Sequence, residues 1–264
     1  MASPRAGPTS ATWLSLVPDA RVVARTPAAV TAVCYDSRRV EPGALFVAVA
    51  GFETDGHRFL KDALDRGATA LLVQEDRRAV WQPFVGQTAA TIVSVADTRR
   101  ALAQAAAGFY GQPARKLGVV GVTGTDGKTT TVHLIAHVLE AAGRPAGYLS
   151  SASFRTKGPL ELNDSHMTTL EATEVQQRLA AMVEAGMRYA VVEASSHGLA
   201  LHRVDECHFD VAVFTTLSSD HLDFHGTLDE YRAAKGRLFQ MLDESPAKEG
   251  VAKAAVLNAD EPAS

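Results

Sequence analysis

The ten residues Gly121-Val122-Thr123-Gly124-Thr125-Asp126-Gly127-Lys128-Thr129-Thr130 constrain this chain more than any other stretch. Their Gly-Lys-Thr core follows directly on an apolar run, 117–122, and opens a segment of helical pattern, 128–142. That strand–loop–helix context is what a phosphate-binding loop requires. Gly124 and Gly127 let the backbone curl so that its N–H groups face phosphate oxygens. Lys128 is expected on the β/γ-phosphates, and a hydroxyl from Thr129 or Thr130 is expected to face Mg²⁺. The helix N-terminus adds a favourable dipole. Thr123 stands where the standard pattern has its first glycine. The bland alternative is a glycine-rich turn with an incidental lysine, and it takes a small share. The reading is an ATP site over Gly124, Thr125, Asp126, Gly127, Lys128, Thr129 and Thr130.

Around this loop, strand-like and helix-like segments alternate. Strands are expected at 117–122, 146–150, 189–194, 211–216 and 254–258, and helices at 128–142, 171–186 and 228–242. Such alternation predicts an α/β fold with a doubly wound, mostly parallel sheet, whose ligands bind at the carboxyl ends of its strands. The polar connection 151–170 is long enough to be a substrate loop. Before it, short strands at 31–35, 45–50, 68–73 and 91–95 are expected, with a helix over 57–66 and another capped by Asp97 and running to Tyr110. The chain before Pro18 reads as loop. Gly111-Gln112-Pro113 breaks the pattern. A small mixed α/β domain over 20–111 is therefore expected before a central domain over 112–264. About 150 residues per domain also gives roughly two domains for 264 residues.

A phosphate loop alone does not choose between kinase, hydrolase and ligase. The strand at 189–194 ends in Glu193-Ala194-Ser195-Ser196-His197-Gly198, which puts a carboxylate at the edge where Mg²⁺ would sit. The next strand leads into a second polar cluster, Thr215-Thr216-Leu217-Ser218-Ser219-Asp220-His221-Leu222-Asp223. Singly, His197, His202, His221 and His225 read as loop or packing histidines. Together, delivered by two successive strands, they strengthen the case for a site. His133 and His137 have metal-ligand spacing, but no Glu follows His133 and the helix looks buried, so packing or exposure is the better reading. By its spacing, Lys235 is a solvated surface lysine.

Charge and composition exclude other classes. Lys+Arg minus Asp+Glu is 26 − 30 = −4, with no long basic block, which argues against a nucleic-acid surface. Cys34 and Cys207 are too few and too far apart for a disulfide framework or zinc knuckle. No run approaches the roughly 18 apolar residues of a membrane span, and prolines and glycines interrupt the first twenty residues where a signal peptide would need an apolar core. A cytoplasmic protein with no membrane insertion is expected.

Five segments, taken in order, resemble the Mur ligases, ATP-dependent amide-forming enzymes of peptidoglycan synthesis. They are Asp36-Ser37-Arg38 with Leu45-Phe46-Val47-Ala48, the loop at 124–131, Thr168-Thr169, residues 193–203, and residues 220–226 with 231–235. The loop is shared with all Mur ligases and with folylpolyglutamate synthetases. Asp-Ser-Arg and Ser-Ser-His-Gly-Leu followed by His-Arg are more particular to the MurE type, which adds the third amino acid, diaminopimelate or lysine. The likeness runs through nearly all of 30–260.

The resemblance implies the following roles. Tyr35 and Ser37, with Phe52, Glu53 and Thr54 nearby, hold the UDP part of a UDP-N-acetylmuramoyl-dipeptide. Thr168, Thr169, Ser195, Leu201 and Arg203 hold its muramoyl-dipeptide. Lys128, Thr129 and Thr130 hold ATP, while Glu193 and His221, with Thr129 and Thr130, hold Mg²⁺. Lys235 matches a lysine carried as a carbamate, an anion able to bind Mg²⁺. Met167 replaces an Asn that often precedes Thr-Thr, and Leu201 replaces a frequent Gln, each removing hydrogen bonds. The implied reaction phosphorylates the D-glutamate γ-carboxylate, and an amino acid's amine then displaces phosphate; Lys128 and Mg²⁺ neutralise the developing charge. A monomer is expected. Mur ligases carry a third, amino-acid-binding domain of about 100–150 residues, and this chain is expected to be a fragment without it. Two other readings are a non-catalytic binder of the nucleotide sugar and a folylpolyglutamate-type ligase, against which the Asp-Ser-Arg region speaks.

Overall fold

The computed structural model describes residues 13–26, 28–51, 54–156, 158–218, 220 and 222–261. The chain divides into two compact units, Met1–Gly111 and Gln112–Ser264. Among the described residues, no helix is long and apolar enough to cross a membrane.

The first unit is built on a five-stranded sheet. Its strands are β1 (Arg21–Ala24), β2 (Ala32–Cys34), β3 (Ala44–Val47), β4 (Ala70–Gln74) and β5 (Thr91–Val95), in the order β1-β5-β4-β3-β2. β2 to β5 run parallel and β1 pairs antiparallel with β5. Every residue of β3 and β5 is buried, the signature of strands covered on both faces. Phe46, Leu71 and Ile92 form a core with Leu60 and Ala63 of α1 (Leu60–Asp65) and Trp81 of α2 (Arg78–Trp81). The alanine-rich α3 (Thr98–Phe109) packs on β2 and β4. Asp97 starts it by accepting from the amides of Arg99 and Arg100. The segment expected as one helix over 57–66 is a 3-10 turn, Gly56–Phe59, leading into α1.

The second unit carries a seven-stranded sheet. Its strands are β6 (Gly118–Thr123), β7 (Ala146–Leu149), β8 (Ser153–Arg155), β9 (Glu161–Leu162), β10 (Tyr189–Glu193), β11 (Val211–Phe214) and β12 (Ala254–Val256). The order is β12-β11-β6-β10-β7-β8-β9. The first five strands in that order are parallel, while β8 and β9 extend the edge antiparallel. The helices are α4 (Lys128–Ala141), α5 (Ala172–Glu184), α6 (Ser196–Ala200), α7 (Leu222–His225) and α8 (Leu228–Glu244). Side chains alternate between two cores, as a strand's period of two requires. Val119, Ala190 and Ala212 face a core with Leu179 and Leu238. Val122, Val191 and Val213 face Val132 and Ala136 of α4.

Three expectations change. The connection 151–170, expected as a loop, contributes β8 and β9. β1 lies in a segment to which no element was assigned. The helix after the phosphate loop is covered on one side only, with Leu134 59% and Val138 65% exposed.

Candidate functional site

Because β6, β10, β11 and β7 run parallel, their carboxyl ends deliver the loops after 123, 193, 214 and 149 to one edge. The loop between β6 and α4 is locked there. Gly124 has φ +143°, and a Cβ on it would stand 1.9 Å from Thr215 Oγ1, so only glycine fits. The amide of Thr125 donates to Thr216 O at 2.7 Å, and that of Asp126 donates to Thr216 Oγ1 at 3.2 Å. Thr215 Oγ1 donates to Asp126 O at 2.6 Å. Thr125 Oγ1 accepts from the amide of Ser218 at 3.0 Å and lies 3.1 Å from the Tyr231 hydroxyl. Lys128 arches over its own loop, its Nζ donating to Thr125 O at 2.6 Å. Thr130 is exposed in the first turn of α4.

Glu193, the last residue of β10, is only 2% exposed. Thr129 Oγ1 lies 3.2 Å and 3.1 Å from its two carboxylate oxygens. The amide of Ser151 donates to Oε2 at 2.8 Å, and Ser151 Oγ is 2.8 Å from Thr129 Oγ1. Among the described residues no lysine or arginine pairs with this carboxylate. The described residues include no cluster of three or more His, Cys, Asp or Glu with metal-holding geometry. His221 lies outside the described residues.

Lys235 overturns its reading as a solvated surface lysine. It points from α8 under the phosphate loop, is 2% exposed, and donates from Nζ to Gly124 O at 2.5 Å. The ammonium stands 4.2 Å from the Tyr231 ring centroid. Burial pushes its pKa down to about 7, and Lys128 adds to the effect against Asp220 and Asp126.

A second group adjoins Glu193 through its backbone. Thr169 Oγ1 donates to Glu193 O at 3.0 Å, accepts from the amide of Ser195 at 2.9 Å, and lies 2.9 Å from Ser195 Oγ. Ser195 caps α6 by accepting from the amide of Gly198 at 3.0 Å. Arg203 donates to Thr169 O at 3.2 Å and pairs with Glu171 at 2.6 Å. Its Nε is buried without a partner among the described residues. Thr168 and Leu201 are half-buried, Leu201 at the C-cap of α6. Met167 packs against the larger core. The side chain of Asn163 tethers it, its Nδ2 donating to Met167 O at 2.9 Å and Ser150 O at 3.1 Å.

In the first unit, Ser37 is buried at the start of a 3-10 turn, Ser37–Arg39, capped by Asp36. The Arg38 guanidinium bonded to Asp36 holds that carboxyl below its usual range. A cavity of about 290 Å³ beside the turn is lined by Ser37, Arg38, Asp62, Asp65 and Arg66. Tyr35 is half-buried and Thr54 exposed. Phe52 and Glu53 lie outside the described residues. His133 packs against Tyr148, its ring tilted 53° with 4.6 Å between centroids, and His137 is exposed, so the two do not form a metal pair. Ser151 and Thr215, which sequence reasoning placed only within polar stretches, prove to hold Glu193 and the loop.

Comparison with known proteins adds to this geometry. Residues 122–264 match the Mur ligase middle domain, and residues 29–110 match the description "Mur ligase family, catalytic domain". A UDP-N-acetylmuramyl-tripeptide synthetase of Roseiflexus sp. is 47% identical over 240 residues, covering 88% of this chain and 46% of the relative. A solved UDP-N-acetylmuramoyl-L-alanyl-D-glutamate–2,6-diaminopimelate ligase superposes with a TM-score of 0.74 at 29% identity, covering 95% of this chain and 47% of that one. A MurF ligase from Thermotoga maritima, solved in complex with ADP, superposes with a TM-score of 0.52 at 27% identity, covering 87% and 46%. The chain spans about half the length of the curated relatives it matches.

Proposed function

The chain belongs to the Mur ligase family, and we propose that it serves the ATP-dependent joining of a third amino acid, diaminopimelate or lysine, to UDP-N-acetylmuramoyl-L-alanyl-D-glutamate. The observation that carries this reading is the double engagement of Glu193. Its carboxylate meets Thr129, one residue beyond the phosphate-loop lysine, while its carbonyl meets Thr169. One residue thus joins a nucleotide subsite to an acceptor subsite, the juxtaposition a phosphoryl transfer to a second substrate needs.

In this reading Lys128 exchanges its bond to Thr125 O for the β- and γ-phosphate oxygens of ATP. The backbone amides at the start of α4 face the same oxygens. The residues present fit Mg²⁺. Glu193 is a buried carboxylate with hydroxyl and amide donors but, among the described residues, no cationic side chain, and buried charges call for a counter-charge. Glu193 and Thr129, with Thr130, would hold the ion through the oxygen donors it prefers. Bound there, it would supply charge neutralisation on the phosphoryl group. The phosphoryl group passes from ATP to the D-glutamate γ-carboxylate. The amine then attacks the acyl carbon, forms the amide and expels phosphate.

Lys235 suits carbamate formation because burial favours its neutral amine. The neutral nitrogen attacks CO₂, a new N–C bond forms as one C=O π bond opens onto oxygen, and the nitrogen loses one proton to solvent, so a neutral amine becomes an anion beside the loop. Thr168, Thr169, Ser195, Leu201 and Arg203 would line the muramoyl-dipeptide subsite. Tyr35 and Ser37, with Phe52, Glu53 and Thr54, would take the UDP moiety.

Calorimetric titration of the chain with UDP-N-acetylmuramoyl-L-alanyl-D-glutamate, with and without Mg-ATP, tests this. Saturable binding is expected, with loss of the dipeptide in Arg203→Ala and of the nucleotide in Lys128→Ala. A folded chain that binds neither ligand overturns the reading.

A further inference from the structure

His202 stands at φ +59°, in the left-handed region, directly after α6 and its C-cap Leu201. Helices often end on one left-handed residue, usually glycine or asparagine, because a Cβ is disfavoured there. Here that residue turns the chain back so that the amide of Arg203 donates to Gly198 O at 2.9 Å. The turn aims the Arg203 side chain at Thr169 and Glu171. A histidine in this conformation persists only where its surroundings over-determine it.

An arginine on another element contributes to those surroundings. Arg237 of α8 donates to Leu199 O at 2.8 Å and to Asp205 Oδ1 at 3.2 Å. The other oxygen of Asp205 lies 2.7 Å from His202 Nδ1. The Arg237 guanidinium stands 3.4 Å from the same ring nitrogen, closing a three-residue cluster. Asp205 can serve as acceptor to both neighbours, so each fixes the other through it. Arg237 therefore grips the turn at both ends, through the Leu199 carbonyl before it and Asp205 after it. Successive residues on a helix are about 100° apart, so Lys235 and Arg237 point to opposite sides of α8. One side meets the phosphate loop at Gly124 O and the other meets the Arg203 turn.

We propose that Arg237 is a positioning residue for the muramoyl-dipeptide subsite, acting through Asp205 and His202 to hold the turn that orients Arg203. This rests on the reading of Arg203 as a substrate residue and goes beyond it. It also gives His202 a role that is neither catalytic nor metal-binding. Because α8 carries both Lys235 and Arg237, the phosphate loop and the Arg203 turn are referred to one rigid element.

The test pairs ligand binding with amide exchange on the 264-residue chain. Arg237→Ala should weaken UDP-N-acetylmuramoyl-L-alanyl-D-glutamate binding by about tenfold, as loss of a charged hydrogen-bond anchor implies. ADP affinity should stay unchanged, and Arg237→Lys should fall between. In an Arg203→Lys background the same Arg237→Ala change should add little, since both act on one contact. Equal weakening of both ligands, or a full additional loss in the Arg203→Lys background, would overturn the proposal. The amide of Arg203 should exchange faster in Arg237→Ala than in the parent, while amides of β6 stay protected. If the parent chain binds no dipeptide ligand, the functional reading fails. The exchange arm then decides alone, with faster exchange supporting the positioning role and unchanged exchange refuting it.

Discussion

Lys235 shows most clearly how a residue's chemistry is set by where the fold puts it. Its ammonium is lodged under the phosphate loop with one carbonyl acceptor, and burial lowers its pKa to about 7. The unfolded chain's lysine, with a pKa near 10.5, stays protonated until well above that. Between about pH 7 and 10 the unfolded state therefore binds more protons, and stability rises with pH by up to about 1.4 kcal/mol per unit from this group. Below pH 7 both states hold the proton and the full penalty of burying a cation remains. Denaturation of the parent and of Lys235→Met in CO₂-free buffer should give stability curves that are not parallel from pH 7 to 10, the parent gaining relative to the variant as pH rises. Parallel curves would mean that the buried amine keeps its proton. The burial of Lys235 was not legible in its spacing, which is that of any lysine on an amphipathic helix; only the family resemblance singled the residue out, as a lysine carried as a carbamate. The strand–loop–helix geometry at 118–141 was legible, because the glycines of the loop and its place between an apolar run and a helical pattern are local features.

At the scale of elements, α8 does more than cover a sheet face, since it presents Lys235 and Arg237 to two loops. Its start is fixed by a reciprocal cap. The amide of Glu230 donates to Thr227 Oγ1 at 3.2 Å, and the amide of Thr227 donates to Glu230 Oε2 at 3.2 Å. Thr227→Ala should cost about 1 kcal/mol, read as a lower urea midpoint with an unchanged slope. Thr227→Asp, which keeps an acceptor, should recover most of it, and an alanine variant as stable as the parent would deny the cap that role. The long parallel elements of this unit were readable from alternation. The short ones were not. β8 and β9 are three and two residues long, too short for a period of two to register. β1 lies at an edge with its first residues exposed, so its sequence carries no burial pattern. The exposed Leu134 and Val138 show the converse, apolar letters that suggested burial on a face the described residues leave open.

Across the second unit, the two ends of the parallel sheet do different work. The carboxyl ends gather Glu193, the phosphate loop and the Thr215–Thr216 support, groups whose partners are largely hydroxyls and backbone. At the amino ends a buried ion pair closes the sheet. Lys248 Nζ lies 2.7 Å from Asp210 Oδ2 and donates to Leu117 O at 2.9 Å and His208 O at 2.6 Å. Asp210 Oδ2 also accepts from the amide of Val119 at 2.8 Å, tying the start of β6 to the start of β11. Burial depresses the Lys248 pKa while Asp210 opposes the shift. Removing the lysine leaves a buried carboxylate with one oxygen already unpartnered among the described residues. Lys248→Met should therefore destabilise the chain by about 3–5 kcal/mol. The double variant Lys248→Met/Asp210→Asn should recover part of that loss, because no full charge is left buried. Nucleotide affinity, measured where both proteins are folded, should match the parent in each case, since the pair lies at the opposite end of the strands from the phosphate loop. A fall in affinity at unchanged stability would mean that the amino ends of the strands report on the site, and the division of labour along the sheet would have to be abandoned.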